Sequence, residues 1–349
     1  MTRLEVTPAF AEDVAQRLYG LRVRAERLPG EYDDNFRLTC ADGTRLVLKI
    51  MHPQRDAALI DMQIQALAHL ARTAPALLTS RIQRRTDGAS FGRMPDARGA
   101  DRMVWLLDYI DGTPYGEAVP QCTSLRASLG AYVGQLDSAL ASFTHPAAHR
   151  ELKWDSARAP WILPRLGEIR DRDRRALVEH FMRLYAQVVT PALPLVRHGV
   201  IHGDANECNT LTRTSRDGTP EVVAVIDFGD MHHGITLSGL AIATAYAIFG
   251  ARDPLQAAAE IVAGYHAKAP IPETELPLLL PLIGARLCVS VVNSAIRAAM
   301  SPDDPYLTVS EAPAWQALQA LARHTPEDAL ASFRLACGLP AVPRGAHRA

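Results

Sequence analysis

The feature that most constrains this chain is a change of hydrophobic period near residue 110. Before it, LRVRAERL, FRLTC and RLVLKI form three short alternating runs within residues 21–50, separated by the turn-rich pieces PGEYDDN and ADGT. Side chains two apart share one face of a strand, so this alternation builds half-buried strands, and turns this short join them as an antiparallel meander. Residues 56–70, DAALIDMQIQALAHL, carry apolar side chains at helical spacing with no Gly or Pro, so a helix follows the third strand. RMVWLLDYIDGTP, from Arg102, reads as one more strand running into a turn at Asp111 and Gly112. Beyond that turn the spacing is helical in segment after segment, LRASLGAYVGQLDSALASF, RRALVEHFMRLYAQVV, LIGARLCVSVVNSAIRAAM and AWQALQALARH among them. Two strand-like pieces interrupt them: GVIHGD around Ile201, and VVAVIDFG ending at Gly229.

That order predicts an α+β chain of two lobes, with a small antiparallel-sheet N-lobe over residues 1–107, a hinge at 108–112 and a large, mainly helical C-lobe over 113–338. The length agrees, because 349 residues are too many for one ordinary core and too few for three. Residues 339–349 close the chain with Pro, Gly and Arg and read as a flexible tail.

Composition removes several function classes. Lys plus Arg number 37 against 38 Asp plus Glu, a formal net charge of −1, so nothing draws the chain toward nucleic acid or an anionic membrane. Its opening, MTRLEVTPAFAEDVAQRL, is acidic where a secretory leader needs an apolar core. The apolar stretches from Leu240 and Leu276 run about a dozen residues, short of the roughly 20 that a bilayer span requires, and read as buried helices. Five cysteines without CxxC spacing fit neither a disulfide framework nor a zinc knuckle, which points to a reduced, cytoplasmic protein. His198 and His202 are separated by strand-like residues, and adjacent His232 and His233 point opposite ways in a strand, so neither pair suggests zinc. Oligomeric state stays open.

Two motifs carry chemistry: HGDANECN at residues 202–209 and VIDFGD at 225–230. Lone Asp and Asn at strand ends are commonly caps or turn formers, but here the joint spacing matters. Asp204 precedes Asn209 by five residues, and Asp227-Phe228-Gly229 follows Asp204 by 23, which matches the phosphoryl-transfer arrangement of protein kinases. In that arrangement Asp204 accepts or orients the proton of the attacking hydroxyl, while Asn209 and Asp227 supply hard oxygens to Mg²⁺. His202 reads as a brace for the loop. The same chemistry needs a Lys on the third strand to bind nucleotide phosphates, and LVLK places Lys49 there. Between the first two strands, Gly30, Glu31, Tyr32, Asp33, Asp34 and Asn35 occupy the phosphate-covering position. Their backbone N–H groups can cap phosphate oxygens, and the Asp side chains are open to facing a cationic substrate or forming turns.

HGDxxxxN with IDFGD in place of the HRD of protein kinases resembles the aminoglycoside phosphotransferase and choline kinase superfamily. LYGLRV, YDDNF, LVLKI, LDYIDGTP, IHGDANECNTL and IDFGDMHHG, in that order, are more narrowly similar to its hydroxylysine kinase subfamily. The resemblance implies a protein-kinase-like two-lobed fold with nucleotide and Mg²⁺ between the lobes. It also implies transfer of the terminal phosphate of GTP or ATP to the hydroxyl of 5-hydroxylysine or a related small amino alcohol. The 107–110 segment, with Asp108 and Ile110, would then bond the nucleotide base through its backbone. One position departs from the pattern: where the following helix normally offers a Glu to Lys49, this chain has Gln63, whose amide accepts a hydrogen bond but lends no charge. Asp61 is the alternative, about 160° around an ideal helix, so only one of the two can face a cleft.

Asp230, Glu207 and Asp34 flank these loops and are the carboxylates expected to meet a substrate ammonium. Trp154 and Trp161 are candidates for walls of the acceptor pocket, against the ordinary role of packing. Two rival readings remain: an antibiotic kinase acting on an aminoglycoside or basic peptide, and a nucleotide-binding regulator without turnover.

Overall fold

The computed structural model describes residues 6–30, 32–300 and 311–340; Glu31 and residues 341–349 of the expected tail lie outside the described residues. The chain divides into two compact units, Met1–Asp111 and Gly112–Ala349, and the break falls inside the segment read as a hinge.

The first unit is a sheet of β1 (Val23–Leu28), β2 (Asp34–Cys40), β3 (Arg45–Ile50), β4 (Ile82–Gln83), β5 (Gly92–Pro95) and β6 (Asp101–Asp108), every neighbouring pair antiparallel. Helix α1 (Pro8–Tyr19) covers one face, its Ala11, Val14 and Ala15 buried against Leu38, Leu48 and Leu106. The alternating runs do not announce this helix. It starts because the Thr7 hydroxyl accepts from Phe10 N–H and Pro8 suits the first turn, and it stops at Gly20 in the left-handed conformation. Alternation along β3 sends Leu48 to that face and Lys49 to the other, opposite Asn35 on β2 and Trp105 on β6. Helix α2 (Ala57–Thr73) follows β3 and is capped by the Asp56 carboxylate on Ala58 N–H.

The second unit is mainly helical. Its strands are few: β7 (Thr113–Pro114), β9 (Thr210–Thr214) and β10 (Pro220–Val225) form one small sheet, while β8 (His198–Ile201) and β11 (His232–Ile235) form a ribbon. The helices are α3 (Thr123–Leu140), α4 (Arg172–Leu184), the single turn α5 (Thr190–Ala192), α6 (Leu237–Ala247), α7 (Pro254–His266), α8 (Leu279–Met300), α9 (Glu311–Leu321) and α10 (Pro326–Ala336). Glycine lets α3 and α7 cross in backbone contact. A Cβ on Gly130 would stand 1.8 Å from Ile261 O, and one on Gly264 would stand 2.0 Å from Ala127 O. Helix α8 is longer than the dozen apolar residues suggested, at 22, and it packs against α4, α6 and α9. Its apolar length would suit a membrane span, but the helix is mostly buried inside the protein. Helix α6 is apolar all round and wholly buried, as a core helix must be.

Candidate active site

In the second unit β8 delivers the chain into the loop 202–209, and β10 ends just before Asp227. His202 laces the two loops together: its Nδ1 accepts from Asp204 N–H at 3.2 Å and its Nε2 donates to Ile226 O at 3.2 Å. The amide can only donate and the carbonyl only accept, so the ring proton sits on Nε2. Both ring nitrogens are thereby spent, which leaves no lone pair for a metal. Asn209 O accepts from Ile226 N–H at 2.8 Å, a second tie between the loops. Gly203, at φ +80, makes the approach possible, because a Cβ there would lie 2.4 Å from Asp230 O. Asp227 stands in the left-handed region at φ +63, the one non-glycine to do so among the described residues. A short polar side chain is what that region tolerates, and Asp227 Oδ1 accepts from Gly229 N–H at 3.3 Å.

Asp204 is gripped from both sides. Its Oδ2 accepts from Asn209 Nδ2 at 2.9 Å and Asn206 Nδ2 at 3.1 Å, and its Oδ1 accepts from Arg286 Nη2 at 2.8 Å. Asn209 Nδ2 also donates to Asp204 O at 3.0 Å. Both amide protons of Asn209 therefore go to Asp204, which turns the Asn209 amide oxygen away from it. Burial pushes Asp204 up to about 8, Arg286 pulls it down, and the Asp230 and Asp227 charges push it up again. Asp230 is also raised, by burial first, against the pull of Arg150 and Arg286. Arg150 Nη2 stands 3.5 Å from Asp230 Oδ1 and donates to Gly229 O at 3.0 Å. The Asp227 charge pushes up both Asp204 and Asp230, a setting in which a divalent cation is the natural counter-charge. The Asn209 oxygen and the Asp227 carboxylate are of the hard type such a cation takes, and Mg²⁺ commonly needs only one or two protein ligands beside phosphates and water. The residues present fit that ion.

Sequence reasoning missed Arg286. It sits on α8, 4% exposed, the one charged side chain between residues 276 and 296. A charge inside so apolar a stretch is itself a signal, since buried guanidinium groups need partners. Trp154 borders the same group, with Arg286 Cζ 4.6 Å from its ring and Arg286 Nη1 donating to its carbonyl at 3.3 Å. Trp161 donates to Lys153 O at 2.8 Å. Glu207 sits in the loop's turn, where its carbonyl accepts from Gly116 N–H at 3.1 Å. His232 is buried and His233 half-buried, so adjacent strand residues do face opposite ways.

The first unit holds the other expected residues. Lys49 is buried, its Nζ 5.8 Å from the Trp105 ring. Gln63 is buried on α2 and donates to Leu59 O at 3.1 Å, while half-buried Asp61 accepts from Gln65 at 2.7 Å. In the loop before β2, a Cβ on Gly30 would meet Asp33 O at 2.6 Å, so the tight turn requires glycine. Asn35 Nδ2 braces that turn by donating to Pro29 O at 3.2 Å, and Tyr32 is exposed beneath Arg55, whose Cζ is 5.5 Å from its ring. Asp34 corrects an expectation. It is the first residue of β2, 1% exposed, bonded to Arg27 at 2.9 Å and to Arg102 at 2.7 Å, so its charge is already neutralised and it cannot reach a substrate ammonium. Asp108 ends β6, where its N–H donates to Arg81 O at 2.9 Å and its carboxylate accepts from Gln83 at 2.5 Å. Its backbone donor is thus not offered to a base, whereas buried Ile110 lies past the strand's end.

A family model described as the phosphotransferase enzyme family (APH) matches residues 24–276. Hydroxylysine kinase of Mus musculus is 28% identical over 337 residues, covering 90% of this chain and 89% of the mouse protein. That of Danio rerio is 28% identical over 314 residues, covering 85% and 86%. Among solved structures, an amicoumacin kinase in complex with AMP-PNP, Ca²⁺ and Ami matches with a TM-score of 0.66 at 14% identity over 91% of this chain and 94% of that one. A microcompartment-associated aminopropanol kinase matches at 0.64 and 20% identity over 96% and 99%. The two structural likenesses carry the protein-kinase-like fold. With most of its length matched, this chain belongs to the phosphotransferase enzyme family and is a phosphotransferase with an alcohol group as acceptor.

Proposed function

We propose that this enzyme is a kinase of small amino alcohols, moving the terminal phosphate of GTP or ATP to the hydroxyl of a hydroxylated amino acid of the 5-hydroxylysine type. The observation that carries the reading is the hold on Asp204, whose carboxylate is fixed by two side-chain amides and a guanidinium while 23% of the side chain stays exposed. A substrate hydroxyl bonded to that carboxylate gains nucleophilicity as its proton departs to an Asp204 oxygen; its own oxygen bonds to the γ-phosphorus while the bond from that phosphorus to the bridging oxygen breaks and the nucleoside diphosphate leaves. Mg²⁺, held by the Asn209 amide oxygen and the Asp227 carboxylate, would neutralise charge on the transferring phosphate. Lys49 binds the nucleotide phosphates, with Gln63 or Asp61 as its helix partner. Gly30, Tyr32 and Asn35 shape the loop whose backbone covers those phosphates, and the Ile110 amide meets the base. His202 braces the Asp204 loop.

For the acceptor, Asp230 and Glu207 receive the ammonium and Trp154 forms a wall. Hydroxylysine kinases of animals are the curated relatives, and an aminopropanol kinase is among the structural neighbours. Arg150 and Lys153 stand beside the same loops, Arg150 against Asp230 and Lys153 over the Trp154 ring. A polycationic aminoglycoside would be repelled by such a group, whereas an amino acid carries a carboxylate to meet it. Five free thiols accord with a cytoplasmic setting.

The test is turnover with Mg²⁺ and GTP or ATP across 5-hydroxylysine, ethanolamine, 1-amino-2-propanol and an aminoglycoside. Nucleoside diphosphate release should depend on acceptor, with kcat/KM for 5-hydroxylysine at least about tenfold above that for the aminoglycoside, the scale of one charged contact. Asp204→Ala should lower kcat by roughly 10²–10⁴ while nucleotide still raises Tm. Nucleotide binding without turnover on any acceptor would sink the reading in favour of a silent regulator.

A further inference from the structure

We propose that Arg286 is the positioning residue of the catalytic aspartate: its guanidinium fork, and not merely its charge, sets the plane in which Asp204 presents its carboxylate. The inference rests on the reading of Asp204 as the group that takes the acceptor's proton.

Burying a guanidinium costs several kcal/mol unless its donors find acceptors. Arg286 satisfies that condition at all three nitrogens. Nε donates to Tyr246 Oη at 3.1 Å, Nη1 to Trp154 O at 3.3 Å and Nη2 to Asp204 Oδ1 at 2.8 Å. Its plane is also held by aromatic rings, with Cζ 4.6 Å from the Trp154 centroid and 5.3 Å from that of Tyr246. A planar group with each nitrogen engaged and two rings beside it cannot turn without breaking several contacts at once. Its hold on Asp204 is correspondingly directional.

The partner's geometry completes the argument. Asn209 and Asn206 come from the same loop as Asp204 and move with it, so their bonds to Oδ2 fix the carboxylate only relative to that loop. Arg286 comes from α8, a buried helix distant in sequence, and ties Oδ1 to the core of the second unit. A carboxylate held from one side swings; held from both, its open edge faces one direction. Misplacing a reacting group by about 1 Å can cost on the order of 10²-fold in rate.

Lysine separates fork from charge, because it keeps the cation but has no plane and cannot reach three acceptors. Arg286→Lys and Arg286→Ala should each lower kcat by about 10²-fold with KM for nucleotide and acceptor within about threefold of the parent. Guanidinium ion at millimolar concentration should restore at least tenfold of the kcat lost in Arg286→Ala, and ammonium should not. A Lys variant within threefold of the parent kcat would show that charge suffices and overturn the proposal. So would a raised acceptor KM at unchanged kcat, which would make Arg286 a substrate-binding group. Tyr246→Phe, which removes only the hydroxyl that holds Nε, guards against misfolding; it should lower kcat several-fold at unchanged Tm, and an unaltered kcat counts against the idea. Asp204→Ala is run alongside: if it turns over normally the function reading itself fails, whereas a dead Asp204→Ala beside normal Arg286 variants discards this inference alone.

Discussion

Asp34 and Asp204 illustrate how the same side chain is sealed in a pair or left with an open edge according to what surrounds it. Asp34 is 1% exposed and shared by Arg27 and Arg102, the latter only 4% exposed. Removing one partner of a buried pair strands the other's charge, at a cost of about 3–5 kcal/mol. Asp34→Asn is therefore expected to lower Tm markedly and leave the acceptor KM unchanged in whatever fraction stays folded; a raised KM at parental Tm would restore Asp34 to the substrate side. The misreading has a physical origin. YDDN has the composition of a turn, and nothing local reveals that Arg102, 68 residues away, draws the second Asp into the sheet. That Asp204, Asn209 and Asp227 lie on two adjoining loops was legible, because the template they match has fixed spacing. Arg286 was not, since its bond to Asp204 spans 82 residues and only its isolation in an apolar helix hinted at a partner.

Among the elements, the crossing of α3 and α7 is the most exacting. The obstacle to a side chain at Gly264 is the Ala127 carbonyl, a backbone group that no rotamer change removes. Gly264→Ala must push the helices apart, costing about 1–3 kcal/mol, and Tm should fall by several degrees given roughly 2–4 °C per kcal/mol for a chain of this class. Gly167→Ala, where nothing lies within 4 Å of the added carbon, is the matched control. Equal Tm for both would mean that the crossing is loose. The alternating runs of the first unit could be read from period, and the buried character of α6 and α8 from their apolar stretches. Helix α1 could not be, because two of the four residues on its buried face are Ala11 and Ala15, too small to stand out as an apolar stripe. The close approach of α3 and α7 was hidden for another reason: a glycine in a helical pattern does not say which neighbour it admits.

For the molecule as a whole, pH is the informative variable. Burial pushes Asp137 up to about 7 despite the Tyr265 hydroxyl donating to it at 2.9 Å. The folded chain then keeps a proton that the unfolded chain releases near the ordinary carboxylate value of about 3.9. Stability from this group is complete below that value and is lost as pH rises through about 7. Raised Asp204 adds to the same slope. Asp137→Asn should flatten the decline of Tm between pH 5 and about 8, since an amide has no proton to lose; an unchanged slope would place the pH sensitivity elsewhere. At this scale the sequence was most transparent, because a lasting switch from strand to helix spacing marks two separate cores, and the break at Asp111 follows it.

Gly203 leaves a last consequence for anyone who would re-engineer this enzyme. Its missing side chain is the clearance between two loops, so every alternative amino acid there wedges the reaction centre open before touching any reactant. A saturation library at this codon should return the parent alone.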